Sequence, residues 1–367
     1  MFYYLSYLSH IWGPFRLYKY VTFRAGGAAA TALLLVLLFG PFTIRILKRI
    51  NTTAPSRHKG LIPDEFIDSS KDKVPSMGGI LIIISIVIST LLWAMPTNHM
   101  MIVFLFLLIT LCGVGFLDDY AKIVHRNRNG ISGKLKLLLQ FAIAFASVSY
   151  LFSLPKTGIV LSQLMLPFMK DPLLTGIYGA LITIPLGILV VVGSSNAVNL
   201  TDGKDGLAIG SVIFCALAYC AFAYLSGNII FANHLNLHYI SGAGEIGIFA
   251  AAIIGAGIGF LWYNCHPASM FMGDTGSLAL GGSIGLIAVL VRQELVLLIV
   301  GGVFVMEAGS VIIQVASYKL TGRRVFLCTP IHHHFERKGW TETQIVIRFW
   351  ILGGIFALIG LASLKLR

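Results

Sequence analysis

The sequence predicts an all-α integral membrane protein with ten transmembrane helices, on three observations. Of its 367 residues 57% are apolar and 11% charged, its mean hydropathy is +0.85, and its apolar residues gather into runs of about 20, the length that crosses a bilayer. The first two exclude a water-soluble domain of this size. The third sets the architecture.

In order, the runs fall at 22–46, 77–95, 100–117, 134–153, 175–195, 207–226, 244–262, 275–291, 294–317 and 345–365. Residues 1–21 precede the first span and are rich in aromatics: Trp12, Phe15, Tyr18 and Tyr20 flank Arg16 and Lys19, and Gly13-Pro14 breaks the segment. This reads as an interfacial helix lying on the membrane and not as a cleaved signal. Ile159 to Met169 is too short to cross and contains Pro167, which predicts a non-spanning hairpin, and Asn228 to Ile240 predicts a short external element. The longest hydrophilic stretch, Lys48 to Val74, has too few apolar residues to fold alone. The whole chain, 1–367, is therefore one domain, with residues 318–344 forming a loop that carries a histidine motif. The five cysteines have no framework spacing and read as small core residues.

Orientation follows from the cations. Loops after odd-numbered spans hold 19 of the 27 lysines and arginines, from Arg45 to Arg348, leaving 8 for the other face. Those loops are cytoplasmic by the positive-inside tendency, and both termini lie outside. This distribution also argues against nucleic acid as the target of the net charge of +12. The polar motifs obey the same parity: Lys71 to Gly79, Asp118-Asp119, Asn199 to Gly206, Asn264 to Asp274 and His332 to Glu336 all follow odd spans.

Each motif has a chemistry and a plainer alternative. Asp118 and Asp119 close an apolar run, where acids are unfavourable unless a cation such as Lys122 compensates. They suit a hard divalent cation, or one carboxyl whose pKa its neighbour raises. Asn199-Leu200-Thr201-Asp202-Gly203-Lys204-Asp205-Gly206 adds two acids and two glycines that let backbone N–H groups approach a ligand. Asn264 to Gly276 brings Asp274, and Phe271 three residues before it is either an interface aromatic or a stacking partner for a nucleobase. His332, His333 and His334 are consecutive, cannot all face one ion, and offer hydrogen bonds to phosphate. Glu307 lies inside the ninth span, where an acid marks a proton path or is satisfied by Ser310, Gln314 or another helix.

Five carboxylates, several lysines and three histidines, with no candidate serine or cysteine nucleophile, point to phosphoryl transfer on an anionic substrate. At the ends of membrane helices, one reactant is expected to be a lipid phosphate. Pro330-Ile331-His332-His333-His334-Phe335-Glu336 with Gly339-Trp340, together with Asp118-Asp119-Tyr120-Ala121-Lys122, Asn199 to Gly206 and Phe271-Met272-Gly273-Asp274-Thr275-Gly276, resembles the phospho-N-acetylmuramoyl-pentapeptide-transferase family. That family sits within the polyprenyl-phosphate N-acetylhexosamine-1-phosphate transferases, and the likeness runs in order over nearly the whole chain.

The resemblance implies a bacterial inner-membrane enzyme with a cytoplasmic active site and periplasmic termini, often a homodimer. It moves phospho-N-acetylmuramoyl-pentapeptide from UDP to undecaprenyl phosphate with Mg²⁺, giving lipid I and UMP. It also implies Asp274 as metal ligand, Asp118 as base on the lipid phosphate, and Asp119 as a second acid at the metal or the pyrophosphate. Phe271 and Asp205 are implied at uracil, with Asn199, Asp202 and Asn264 around the nucleotide. Lys71, Lys122, Lys134, His332 and His333 are implied at the phosphates, and Ser76 and His334 at the substrate. Where the family usually reads Thr-Pro-Thr-Met-Gly-Gly, this chain has Val74-Pro75-Ser76-Met77-Gly78-Gly79, and the shifted loop before it lets Lys73 stand in for Lys71. Two other readings stay open: a transferase for N-acetylglucosamine phosphate and, with Glu307 as its proton carrier, a proton-coupled transporter.

Overall fold

Hydrocarbon offers no partner to a backbone N–H or C=O, so each apolar run must satisfy its own hydrogen bonds as a helix. The computed structural model, which describes residues 1–50, 52, 74–124, 130–166, 169 and 171–366, is all-α in this way. Its helices are α1 (Val21–Arg49), α2 (Gly79–Trp93), α3 (His99–Val124), α4 (Gly133–Ser153), α5 (Pro155–Leu161), α6 (Gly176–Thr201), α7 (Leu207–Ser226), α8 (Ile229–His234), α9 (Ala243–Asn264), α10 (Gly273–Leu290), α11 (Leu297–Val300), α12 (Gly302–Thr321), α13 (Ile331–Arg337) and α14 (Glu342–Ala362). Among the described residues nine of them are long and apolar enough to cross a membrane. The chain is a multi-pass integral membrane protein.

The ten expected runs correspond to α1, α2, α3, α4, α6, α7, α9, α10, α12 and α14, with departures in their limits, the fifth, α6, continuing beyond its expected end at 195 to Thr201. The second is only 15 residues long, about 22 Å. Residues just before it pair instead with the entrance to α10: Phe271 N–H donates to Pro75 O, Gly78 N–H to Phe271 O and Gly79 N–H to Met272 O. The ninth begins eight residues late, because the buried polar residues Arg292, Gln293 and Glu294 interrupt the run and Gly301 ends the single turn α11. The third runs on past its acids to Val124, so Asp118 and Asp119 lie in the last two turns of α3 and not in the loop after it. Helical spacing then brings Lys122 beneath both.

α10 is the centre. All 18 of its residues are buried, and α2, α3, α6 and α7 pack around it. Its composition explains this position: Gly-Ser-Leu-Ala-Leu-Gly-Gly-Ser-Ile-Gly lets neighbouring helices approach closely, which drives helix association in lipid where hydrophobic burial does not. α1 lies against α9, and α9 against α7. The expected hairpin after α4 is the short α5 followed by an antiparallel bridge between Leu164 and Leu174, and the expected external element contains α8, whose Asn228 side chain caps Ile230 N–H. The N-terminal segment differs from the expected helix: it forms two short, tightly wound helical segments, Phe2–His10 and Gly13–Lys19, separated at Ile11-Trp12, with Gly13-Pro14 opening the second. These segments sit over the end of α2, with Tyr18 stacked on Trp93 and the Met1 ammonium donating to Leu91 O and Leu92 O.

At that end of the bundle the Arg24 guanidinium grips Glu245 in a buried two-pronged pair at 2.6 and 2.7 Å, and Glu245 also accepts from Met95 N–H. Glu245→Ala would leave a buried arginine unpaired, which costs about 3–5 kcal/mol. A marked fall in the thermal unfolding midpoint in detergent is expected, whereas an unchanged midpoint would show the pair contributes nothing.

Candidate active site

Two spanning helices bring three carboxylates to one point. Asp118 and Asp119 come from the last two turns of α3, and Asp274 from the first turn of α10, where the positive end of the helix dipole favours an anion. All three are at most 4% exposed. They can each offer an oxygen such that these atoms lie within 4.8 Å of one another.

Two helices supply the countercharge. Lys122 Nζ lies 2.5 Å from Asp118 Oδ2, 3.8 Å from Asp119 Oδ1 and 2.9 Å from Asp274 Oδ2. Lys136 Nζ, from α4, lies 2.6 Å from Asp274 Oδ2 and 3.6 Å from Asp118 Oδ2. Asn199, near the end of α6, donates to Asp274 Oδ1 at 2.9 Å. Asp119 Oδ2 accepts from both the backbone N–H and the hydroxyl of Thr275, which locks α3 to the start of α10. Ile131 N–H donates to Asp118 Oδ1 and pins the start of α4 to the same place.

Close approach of backbone makes the cluster possible. A Cβ on Gly115 would lie 2.2 Å from Asp274 O, and one on Gly273, which has a φ of +74°, would lie 2.6 Å from Asp119 Oδ2 and 3.0 Å from Ser76 Oγ. Glycine is the side chain these contacts permit. Ser76 thus borders the acids.

A second polar layer joins the remaining motifs. Asp205 Oδ2 lies 3.1 Å from His266 Nδ1 and accepts from Ala268 N–H, while Glu342, at the start of α14, accepts from Asp205 N–H. Asp205, His266 and Glu342 form another grouping with metal-ligand spacing. Asn264 holds two loops together, accepting from Gly206 N–H and donating to Met270 O. Asp202 is half-buried at the end of α6, and Phe271 is half-buried at the mouth of α10.

The histidine motif is folded into the protein and not strung along a loop. His332 is buried and meets the intramembrane Glu307 at 3.0 Å, so Glu307 is engaged by α13 and not, through its side chain, by Ser310 or Gln314. His333 pairs with Glu336, which also holds Lys204 at 2.6 Å. His334 accepts from Leu327 N–H, supporting the chain before α13. Burial pushes the Glu336 carboxyl up, but hydrogen bonds from His333 and Lys204 and their charges outweigh it and hold the group at about 2. Burial also carries the His333 imidazole below its ordinary 6.5, the neighbouring Glu336 opposing.

Both groups bind protons less readily folded than unfolded. The stability they contribute is therefore complete above about pH 6.5 and falls as His333 and then Glu336 take up protons. The unfolding midpoint should decline on acidification from pH 7.5 to 5.5, and less so in His333→Gln; equal declines would exclude this histidine as the cause.

Lys134 is exposed in the first turn of α4, and the lysine of that helix that reaches the acids is Lys136. Two residues along a helix turn a side chain about 200°, so only one of the pair can face the cluster. Lys71 and Lys73 lie outside the described residues. In the sequence Lys136 is one cation among many in its loop, and Glu342, which starts the last helix, carries no motif of its own.

Comparison with known proteins adds lineage to this geometry. The model of glycosyl transferase family 4 matches residues 100–292, which include the three acids, Lys122, Lys136 and Asn199 but not His332, His333 and His334. Full-length relatives extend over those too: a phospho-N-acetylmuramoyl-pentapeptide-transferase of Methylacidiphilum infernorum is 48% identical over 368 residues, covering 100% of both chains. The chain belongs to the phospho-N-acetylmuramoyl-pentapeptide-transferase family. Members from Dinoroseobacter shibae, 48% identical over 369 residues with 100% of both chains covered, and Rhodopseudomonas palustris, 48% over 351 residues and 95% of each, agree. In family terms the chain is an enzyme of the glycosyl-1-phosphate transferase kind.

Proposed function

We propose that the protein transfers phospho-N-acetylmuramoyl-pentapeptide from UDP to undecaprenyl phosphate, releasing UMP and leaving lipid I, on the cytoplasmic face of a bacterial inner membrane. The observation that carries this is the meeting of three buried carboxylates with Lys122 and Lys136 at the ends of membrane helices. Positive-inside charge supports the orientation, and kinship with the named transferases supports the substrates. A homodimer is the expected assembly.

The donor set fits a hard divalent cation, Mg²⁺ in this reading. It is all oxygen, buried, and already draws two ammonium groups into its midst. Asp274, Asp118 and Asp119 would hold the ion, which would supply positive charge to offset the negative charge of the substrate phosphates. The residues of the chain do the rest. Lys122 and Lys136 are placed to neutralise phosphate oxygens arriving at the carboxylates. Asp118 acts as base on the lipid phosphate, which attacks the diphosphate directly. Asn199, by holding Oδ1 of Asp274, keeps the other carboxylate oxygen turned to the lysines. Phe271, Asp202, Asp205 and Asn264 shape the nucleotide end of the pocket.

The test is purified protein in detergent with undecaprenyl phosphate, Mg²⁺ and UDP-N-acetylmuramoyl-pentapeptide, scored for UMP. Release that depends on both lipid and metal is expected. Turnover of UDP-N-acetylglucosamine in its place would transfer the assignment to the other sugar, and trapping of phospho-sugar on Asp118 or Asp119 without lipid would exclude direct attack.

A further inference from the structure

Glu307 and His332 form a buried pair that no step above uses. Glu307 is 0% exposed and His332 1%. His332 Nδ1 stands 3.0 Å from Glu307 Oε2. With Glu307 as a carboxylate, which only accepts, the geometry assigns Nδ1 as the donor of this hydrogen bond. Among the described residues, His332 Nε2 and Glu307 Oε1 have no hydrogen-bond partner, an arrangement that native interiors rarely leave without a reason. Nε2 is aimed at a particular place: a Cβ on Gly203 would lie 2.6 Å from it. Gly203 sits in the turn between Asp202 and Asp205, the segment that links α6 to α7 beside the acids.

We infer that Glu307 is a positioning residue: it fixes the His332 ring with Nε2 bare and turned to the Asp202–Asp205 turn, where Nε2 accepts a hydrogen bond from a hydroxyl of the nucleotide-linked substrate. The inference rests on the functional reading above and deepens it. With Nδ1 committed to the carboxylate, Nε2 of the neutral ring is an acceptor, so it matches a hydroxyl and not a phosphate oxygen, which only accepts. This revises the expectation that the motif's first histidine donates to phosphate. Gly203 is part of the same device, since any larger residue there would press on the ring.

The experiment compares Glu307→Ala, Glu307→Gln, Gly203→Ala, His332→Ala and the double variant Glu307→Ala/His332→Ala. It measures UMP release from UDP-N-acetylmuramoyl-pentapeptide and ¹⁵N NMR of the His332 ring. Glu307→Ala is expected to lower kcat/KM about 10–100-fold, as loss of an orienting partner of a histidine does, with most of the change in KM. Glu307→Gln, which still accepts from Nδ1, should recover most of it. Gly203→Ala should impair the protein while leaving Glu307 intact, and the double variant should be no worse than His332→Ala. The ring should show Nδ1 protonated and Nε2 bare in the parent protein and in Glu307→Gln, but not in Glu307→Ala. A double variant that falls by the full Glu307→Ala factor below His332→Ala, a Glu307→Gln as impaired as Glu307→Ala, or a parent ring with Nε2 protonated would each overturn the inference. A parent protein that releases no UMP overturns the functional reading instead, and the ring spectra still decide the orientation.

Discussion

Replacing Asp274 by asparagine is expected to abolish UMP release, by about 10³-fold or more, as when a group aimed at developing charge is removed from a water-poor site. The geometry makes this substitution severe despite its identical shape. Asp274 Oδ2 accepts from Lys122 and Lys136, and Oδ1 accepts from Asn199. An asparagine must present its NH₂ to one side or the other. It then points a donor either at two ammonium groups or at another amide donor. The charge available to a metal falls by one as well. UMP release measured with Mg²⁺ varied over a wide range checks this, alongside the unfolding midpoint to show that the variant is folded. Near-normal Mg²⁺-dependent release would exclude Asp274 from the metal and phosphate site.

Gly115→Ala should be nearly as damaging although it touches no charge. The new Cβ would lie 2.2 Å from Asp274 O, 2.5 Å from its carbonyl carbon and 2.6 Å from Thr275 Cα. All three are backbone of the central, wholly buried helix, so nothing can rotate away and α3 must move. Asp118 and Asp119 travel with α3. A displacement of about 1 Å between reacting groups costs on the order of 10²-fold in rate, and overpacking of this kind costs about 1–3 kcal/mol of stability. Gly113→Ala is the control, since it lies on the same helix with nothing within 4 Å of its Cβ position, and it should behave like the parent protein. Comparable activity in the two alanine variants would show that the helix contact does not set the geometry of the acids.

These two substitutions divide what could be read from residues in order from what could not. Asp274 could be singled out because an acid at the start of an apolar run, within Phe271-Met272-Gly273-Asp274-Thr275-Gly276, departs from the pattern around it. Gly115 could not, because a glycine in an apolar helix is ordinary until the neighbouring helix is known. The same contrast holds for Lys136 against Lys134, where rotation of α4 about its axis decides which lysine meets the acids. Glu307 stood out as an intramembrane acid, yet its partner lies 25 positions further on, and that pairing depends on α13 folding back against α12.

The order of amino acids alone settled that this chain lives in a membrane, where its helices run to within a few residues for most, and which acids, lysines and histidines stand apart from lipid-compatible sequence. It could do so because the bilayer acts residue by residue: apolar length and excluded charge are local properties. Tertiary structure decided which of those groups share a pocket, which lysine compensates the acids, where α2 and α12 start, and what Glu307 holds. Those outcomes depend on helix rotation and on backbone approach at Gly115 and Gly273, quantities set only when one helix packs against another.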